Sequence, residues 1–122
     1  MIKKRFLIVD DSLAVIKRLT LILESLGHEV VGTAMNGTEA VAKSVALKPD
    51  VITMDIQMPE MDGLTATKQI LEHCPDQPII IITAHGQEST VADAIDAGAK
   101  YFISKPIEKT QVSEVLLKIF KS

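Results

Sequence analysis

The sequence contains no tryptophan, one tyrosine and a single cysteine, Cys74. One cysteine excludes an intramolecular disulfide and a multi-cysteine metal site, which fits a reducing cytoplasm. We expect Cys74 to pack as a small hydrophobic residue. Long apolar runs are also missing, so no membrane span is predicted, and the run at residues 6–9 is too short for a signal peptide. A Gly-rich phosphate loop of the P-loop type is absent, which argues against nucleoside triphosphate binding.

An excess of positive charge is lacking too. The chain has 13 Lys and Arg against 16 Asp and Glu, with a net charge of -3. Nucleic-acid binding usually requires a basic patch, and the short run Lys3-Lys4-Arg5 does not form one. With 122 residues, of which 47% are hydrophobic and 24% charged, the composition is that of a soluble globular protein. We therefore expect one domain over residues 1–122.

Five apolar segments alternate along the chain with five amphipathic ones. The apolar segments predict strands at residues 6–9, 28–33, 51–54, 79–83 and 101–104. The amphipathic segments predict helices from a Ser12 cap to about residue 26, then at 38–48, 64–74, 88–97 and 109–121. Such alternation is typical of the α/β class, a doubly wound parallel sheet with helices on both faces. The second strand is polar enough for an edge, and the fourth helix, rich in Ala, Asp and Ser, should pack lightly.

Polar and charged residues stand where the predicted strands end. Asp10 and Asp11 follow the first strand, Asp55 the third, Thr83 ends the fourth and Lys105 follows the fifth. In a doubly wound sheet the carboxyl ends of the strands share one edge, where ligands bind. Three converging carboxylates repel one another unless a cation neutralises them. Mg2+ prefers carboxylate oxygens and often binds phosphate as well, so we predict a Mg2+ site here.

This set of residues indicates phosphoryl transfer to a carboxylate. An Asp can act as a nucleophile and carry an aspartyl-phosphate. Asp55 is the candidate nucleophile, because it is the single carboxylate at the tip of the middle strand, while Asp10 and Asp11 can hold the metal. Lys105 supplies a compact positive charge and Thr83 a hydroxyl donor. Each residue taken singly could be a helix cap or a surface charge, but all five together favour the site.

The same residues resemble the motifs of a response-regulator receiver domain, and the resemblance covers the whole chain. It is closest to stand-alone receivers of the chemotaxis type. It implies a flavodoxin-like fold with sheet order 2-1-3-4-5. The matching motifs are Val9-Asp10-Asp11-Ser12, Asp55-Ile56-Gln57-Met58-Pro59, Met61-Asp62-Gly63, Thr83-Ala84, Ala97-Gly98-Ala99 and Lys105-Pro106.

The resemblance also implies roles for particular residues. A histidine kinase would donate its phosphoryl group to Asp55 and Lys105 would contact that group. Asp11, Asp55, the backbone carbonyl of Gln57 and, largely through water, Asp10 would hold Mg2+. The peptide bond before Pro106 would be cis.

A switch is implied as well. Thr83 would move toward the phosphate and Phe102 would turn inward, so that the surface of the fourth helix, fifth strand and fifth helix binds a target. Tyr101 should face the opposite side of the strand from Phe102. Gln57 and His85, two residues after Asp55 and Thr83, would flank the path of attacking water and influence the phosphate lifetime.

Two alternatives remain open at the level of sequence. A Mg2+-dependent phosphohydrolase with an Asp nucleophile would need an acid two residues later, where this chain has Gln57. A receiver-like binding module that is not phosphorylated usually lacks an acidic residue or the lysine, and this chain has them all. We expect a cytoplasmic monomer whose target is the flagellar motor, a phosphorelay partner or another enzyme. His28 and His73 are expected on the surface.

Overall fold

A computed structural model describes residues 2–56, 58, 61–84, 86 and 88–121. Five strands alternate with five helices. The elements are β1 (Arg5–Val9), α1 (Leu13–Ser25), β2 (Glu29–Ala34), α2 (Gly37–Leu47), β3 (Val51–Asp55), α3 (Gly63–His73), β4 (Ile79–Thr83), α4 (Glu88–Asp96), β5 (Tyr101–Ser104) and α5 (Lys109–Ile119). The strands form one parallel sheet of order β2-β1-β3-β4-β5. The predicted fold and the edge position of the second strand are confirmed.

The core consists of two apolar layers, one on each face of the sheet. Successive strand side chains point to opposite faces, so each strand contributes to both layers. In β4, Ile79 and Ile81 pack with α2, α3 and α4, whereas Ile80 and Ile82 pack with α1 and α5. All five residues of β3 and of β4 are buried, as expected for central strands covered on both sides.

The starts of α1, α2 and α3 follow from short polar side chains that accept backbone hydrogen bonds. Ser12 accepts a hydrogen bond from the Val15 N–H, and Asp62 accepts one from the Thr65 N–H. The Ser12 cap was predicted. Asn36 caps α2 in the same way, so that helix begins at Gly37, one residue earlier than predicted.

The expectation for Cys74 is wrong. Cys74 is exposed, because α3 ends at His73 and Cys74 occupies its C-terminal cap. A side chain at the cap no longer follows the helical repeat that directs Ile70 into the core. The expectation for His73 is confirmed, since its side chain is exposed.

The expectation for His28 is also wrong, because this side chain is buried. The turn after α1 folds back, and the His28 N–H donates to the Leu23 carbonyl at 2.9 Å. The imidazole Nδ1 then accepts a hydrogen bond from the Lys4 N–H at 3.0 Å, and the ring centroid lies 5.3 Å from that of Phe6. An Nδ1 that accepts a hydrogen bond carries no proton, so the imidazole is neutral in this arrangement.

We predict that His28 makes stability depend on pH. Burial lowers the pKa of His28 below 6.5, and the positive charges of the N-terminal amine and Lys4 lower it further. The unfolded chain then binds more protons than the folded one below about pH 6.5, so the free energy of unfolding falls as the pH drops through that range. One such group contributes at most about 1.4 kcal/mol per pH unit.

The measurement is urea unfolding of the wild type and His28→Asn between about pH 7.5 and about pH 5. Asn keeps an acceptor for the Lys4 N–H and does not titrate, so its unfolding free energy should fall less steeply. The carboxylates titrate in both proteins and cancel in the comparison. Parallel pH profiles for the two proteins would contradict the prediction.

Candidate functional site

The parallel register brings the predicted site residues to one edge of the sheet. Val9 pairs with Met54, so Asp10 follows β1 beside Asp55 at the end of β3. Asp55 in turn pairs with Ile82, one residue before Thr83 in β4, and Thr83 pairs with Ser104, one residue before Lys105. The pairing confirms that these strand tips are neighbours.

Three carboxylates form a cluster at this edge. Asp10, Asp11 and Asp55 each offer an oxygen, and the three oxygens lie within 4.8 Å of one another. Asp10 and Asp55 are buried, while Asp11 is exposed. Asp10 Oδ1 accepts a hydrogen bond from the Ser12 N–H at 2.8 Å. Asp10 Oδ2 is buried, and no residue that the structure describes donates a hydrogen bond to it.

Lys105 lies next to two of these carboxylates. Its Nζ is 3.7 Å from Asp10 Oδ2 and 3.8 Å from Asp55 Oδ1. The Lys105 N–H donates to the Thr83 carbonyl at 2.7 Å, which fixes the start of the loop after β5, and the Lys105–Pro106 peptide bond is cis. The lysine side chain is 31% exposed. Its ammonium is thus held within the cluster while it stays accessible to a ligand from solvent.

The electrostatics of Asp10 show what the cluster requires. Burial raises the pKa of Asp10 above 3.8, although the Ser12 hydrogen bond and the charge of Lys105 oppose this and the charge of Asp11 adds to it. A raised pKa means that the ionised form is disfavoured at this position. A divalent cation would reverse that balance, because it attracts all three carboxylates at once.

Oxygen ligands of this kind fit Mg2+. The ion takes carboxylate oxygens and retains several waters, so a site with one exposed carboxylate suits it. The buried Asp10 Oδ2, which lacks a hydrogen bond from any described residue, is an available ligand or a partner for metal-bound water. The Asp cluster that could hold a metal is therefore present.

Two further predicted residues lie on β4 and β5, the strands next to β3 on this side of the sheet. Thr83 is buried at the end of β4, and Phe102 is half-buried in β5. Phe102 packs against the layer formed with α2, α3 and α4, whereas Tyr101 packs against the layer formed with α1 and α5. The opposite orientation of these two aromatic residues is confirmed. Gln57 and His85, the predicted phosphate-lifetime residues, lie outside the described residues.

Close backbone packing around Asp55 is a feature that the sequence analysis missed. The Gly63 N–H donates to the Ile56 carbonyl at 2.8 Å, and a Cβ atom at Gly63 would lie only 2.0 Å from the Asp55 carbonyl oxygen. In the sequence, the pair Asp62-Gly63 is typical of a turn and does not indicate what the glycine packs against. In the structure this glycine lets the start of α3 pack directly on the tip of β3.

Among the described residues, no helix is both long and apolar enough to cross a membrane.

Comparison with known proteins identifies the same family as the sequence motifs do. A family model for the response regulator receiver domain matches residues 6–117. The chain is 49% identical to chemotaxis protein CheY of Thermotoga maritima over 118 residues, which cover 97% of this chain and 98% of that protein. It is 48% identical to chemotaxis protein CheY of Bacillus subtilis over 114 residues, covering 93% and 95% of the two chains.

Solved structures of receiver domains also match this chain. The crystal structure of the CheX–CheY–BeF3–Mg2+ complex from Borrelia burgdorferi contains a chain that matches with a TM-score of 0.90 and 39% identity. The match covers 97% of this chain and 90% of that one. The response regulator domain of Thermotoga maritima CheB matches with a TM-score of 0.81 and 41% identity, covering 97% and 94% of the two chains.

Proposed function

Because the chain belongs to the response regulator receiver family, we propose that Asp55 is its phosphoryl acceptor. The chain is homologous to CheY, a phosphoacceptor response regulator in chemotaxis signalling. One observation carries the assignment of Asp55. Asp55 ends the central strand β3, and one of its carboxylate oxygens lies within 4.8 Å of oxygens of Asp10 and Asp11. Asp55 Oδ1 is also 3.8 Å from Lys105 Nζ.

The proposed reaction is attack of an Asp55 carboxylate oxygen on the phosphorus of a kinase phosphohistidine. The new O–P bond forms as the P–N bond breaks, and the histidine leaves with the electron pair. Asp10, Asp11 and Asp55 would hold Mg2+, together with the Gln57 backbone carbonyl. When bound, the ion would neutralise charge on the carboxylates and on the transferring group.

Lys105 is proposed to change partners during this reaction. It lies 3.7 and 3.8 Å from carboxylate oxygens of Asp10 and Asp55, so its ammonium is close to the place where phosphoryl oxygens would arrive. A lysine is a compact point charge on a flexible stem and can follow such a new anion. Its loss should weaken the link between phosphorylation and the conformational change.

Thr83 and Phe102 are proposed to transmit the change. The Thr83 hydroxyl would donate to the phosphoryl group, and Phe102 would turn inward from its half-buried position on the adjacent strand. Helix α4 beside them buries only Ala94, and Ile95 is 55% exposed. An element with so little buried surface shifts at low energetic cost, which supports α4, β5 and α5 as the surface that binds a target.

The proposed partners are a histidine kinase that supplies the phosphoryl group and a target protein that reads the altered surface. CheY of Borrelia burgdorferi forms a complex with CheX in the presence of BeF3 and Mg2+, which supports a protein partner for the activated form here. Gln57 and His85 are proposed to influence the phosphate lifetime, and residues 1–122 to act as one receiver unit.

The test is incubation of the protein with acetyl phosphate, with and without Mg2+, followed by intact mass measurement. We expect one phosphoryl adduct that requires Mg2+. Borohydride reduction converts a phosphorylated Asp to homoserine, and peptide mapping should locate that change at residue 55. Consumption of acetyl phosphate without a detectable adduct would favour a phosphohydrolase or rapid self-dephosphorylation. No reaction, under conditions that label another receiver domain, would favour a binding module that is not phosphorylated.

A further inference from the structure

The start of helix α2 is bonded to the segment between β3 and α3. The N–H of Gly37, the first residue of α2, donates to the Met61 carbonyl at 3.0 Å. The first N–H groups of a helix have no partner inside the helix, so each needs an acceptor from elsewhere. Here Met61 supplies that acceptor, and the bond links the edge of the sheet that contains β2 with the loop that follows Asp55.

Only glycine permits this approach. A Cβ atom at residue 37 would lie 2.4 Å from the Met61 carbonyl oxygen and 2.7 Å from both Met61 Cβ and Cγ. The nearest of these atoms belongs to the backbone, which cannot move aside in the way that the end of a flexible side chain can. Residue 37 must be glycine so that the backbone at the start of α2 can approach the backbone of Met61.

The segment between β3 and α3 is thus held at both ends. Near its start, the Gly63 N–H donates to the Ile56 carbonyl at 2.8 Å. Near its end, Met61 is bonded to Gly37, and its side chain packs against the core layer on that face. Ile56 and Met61 are therefore each tied by a backbone hydrogen bond to the first residue of a helix, Gly63 of α3 and Gly37 of α2.

The start of α2 is itself well anchored. Asn36 Oδ1 accepts a hydrogen bond from the Glu39 N–H at 2.8 Å, and Glu39 Oε1 accepts one from the Met35 N–H at 3.3 Å. The first bond caps the helix, and the second ties its first turn to the residue before the cap. Met61 is therefore bonded to a rigid element.

We propose that Gly37 is a positioning residue for the metal site. Its contact with Met61 holds the chain two residues before Gly63, which packs on the backbone of Asp55, and thereby sets the position of Asp55 at the metal site. The inference rests on the proposed function, because it assigns Gly37 an effect on that same site. Gly37 would act through Met61 without touching the metal or the phosphoryl group.

The test is Mg2+ binding to Gly37→Ala, measured by titration calorimetry on the whole chain. Moving the support of a metal ligand typically weakens metal binding by about 10-fold or more, so the Mg2+ dissociation constant should rise by about 10-fold. Acetyl phosphate labelling at saturating Mg2+ should recover most of the wild-type rate, because the defect lies in metal binding. A merely structural role would not produce that dependence on Mg2+.

The matched control is Gly32→Ala in β2. A Cβ atom there would lie 2.6 Å from Leu47 Cδ1, which is the end of a flexible side chain. The substitution is the same, but the Cβ atom at Gly32 would meet the side chains of Leu47 and Leu7 instead of Met61. Its Mg2+ dissociation constant should stay within about twofold of wild type, and urea unfolding of both variants reports any loss of stability.

Equal Mg2+ dissociation constants for folded Gly37→Ala and Gly32→Ala would overturn the inference. If Gly37→Ala does not fold, Asn36→Ala decides, because it removes the cap at a half-buried position and loosens the same helix start. We expect its Mg2+ dissociation constant to rise by about threefold, and an unchanged constant would overturn the inference. A wild-type protein that neither binds Mg2+ nor accepts phosphate would overturn the proposed function as well. If the wild type does both and Gly37→Ala has the wild-type Mg2+ dissociation constant, this inference alone is overturned.

Discussion

Asp55→Asn is expected to lose phosphoryl acceptance from acetyl phosphate completely. The amide has nearly the shape of the carboxylate, so the fold should be retained, but an amide nitrogen or oxygen is a poor nucleophile and cannot form an acyl phosphate. Removal of a catalytic nucleophile typically lowers the rate by about 10³-fold or more. Over the hours of a labelling experiment no adduct should be visible in the intact mass.

The matched control for this prediction is Asp62→Asn in the same segment. Asp62 caps α3 through the Thr65 N–H at 2.8 Å, and Asn is an equally good cap. Its labelling rate should stay within about twofold of wild type. Persistent labelling of Asp55→Asn at wild-type rate would show that another residue is the acceptor, and Asp10 and Asp11 would then be the first candidates.

Gly63→Ala is expected to cause the largest loss of stability of any glycine-to-alanine change in the chain. The three described atoms nearest to the added Cβ all belong to the backbone, namely the Asp55 carbonyl oxygen at 2.0 Å, the Asp55 carbonyl carbon at 2.9 Å and the Ile56 Cα at 2.9 Å. Relief requires α3 to move away from β3, which would also disturb the carboxylate of Asp55. We expect the free energy of unfolding to fall by at least about 3 kcal/mol.

Urea unfolding of Gly63→Ala and Gly27→Ala separates crowding from backbone conformation. Gly27 has a φ of +89° and nothing within 4 Å of an added Cβ, so alanine there should cost about 1 kcal/mol through conformation alone. If Gly63→Ala unfolds at the same urea concentration as Gly27→Ala, the close packing of α3 on β3 is not rigid and the prediction is wrong.

The fold could be predicted from the sequence because its signals were local and repeated. Each strand was a short apolar run, each helix was an amphipathic segment, and the first helix had a cap at Ser12. Parallel pairing then followed from the alternation. The predicted boundaries differ from those observed by a few residues at most, as at Gly37, where a cap at Asn36 replaced the expected start at Thr38.

The members of the candidate site could be predicted for a related reason. In a parallel sheet, strand tips that are distant in sequence must meet at one edge, so the proximity of Asp10, Asp55 and Lys105 follows from topology. The distances do not follow, because the 3.7 Å and 3.8 Å separations around Lys105 depend on how the loop after β5 is held by the Thr83 carbonyl.

The features that the sequence did not predict correctly have a different cause. His28 appeared to be a polar residue at an exposed edge, but its burial depends on the turn after α1 and on an acceptor role toward the Lys4 N–H. The contact between Gly37 and Met61 joins two segments 24 residues apart, and an Asn-Gly pair signals a turn without naming its partner. Long-range backbone contacts of this kind leave no periodic pattern in a sequence.

The placement of the two aromatic residues of β5 has an optical consequence. The chain has no tryptophan and one tyrosine, so Tyr101 dominates its intrinsic ultraviolet fluorescence. Tyr101 packs on the face of the sheet that is covered by α1 and α5, whereas Phe102 faces the other layer. Emission from the unmodified protein therefore reports chiefly on the α5 side, and rotation of Phe102 is better followed with a chromophore introduced on the α4 side.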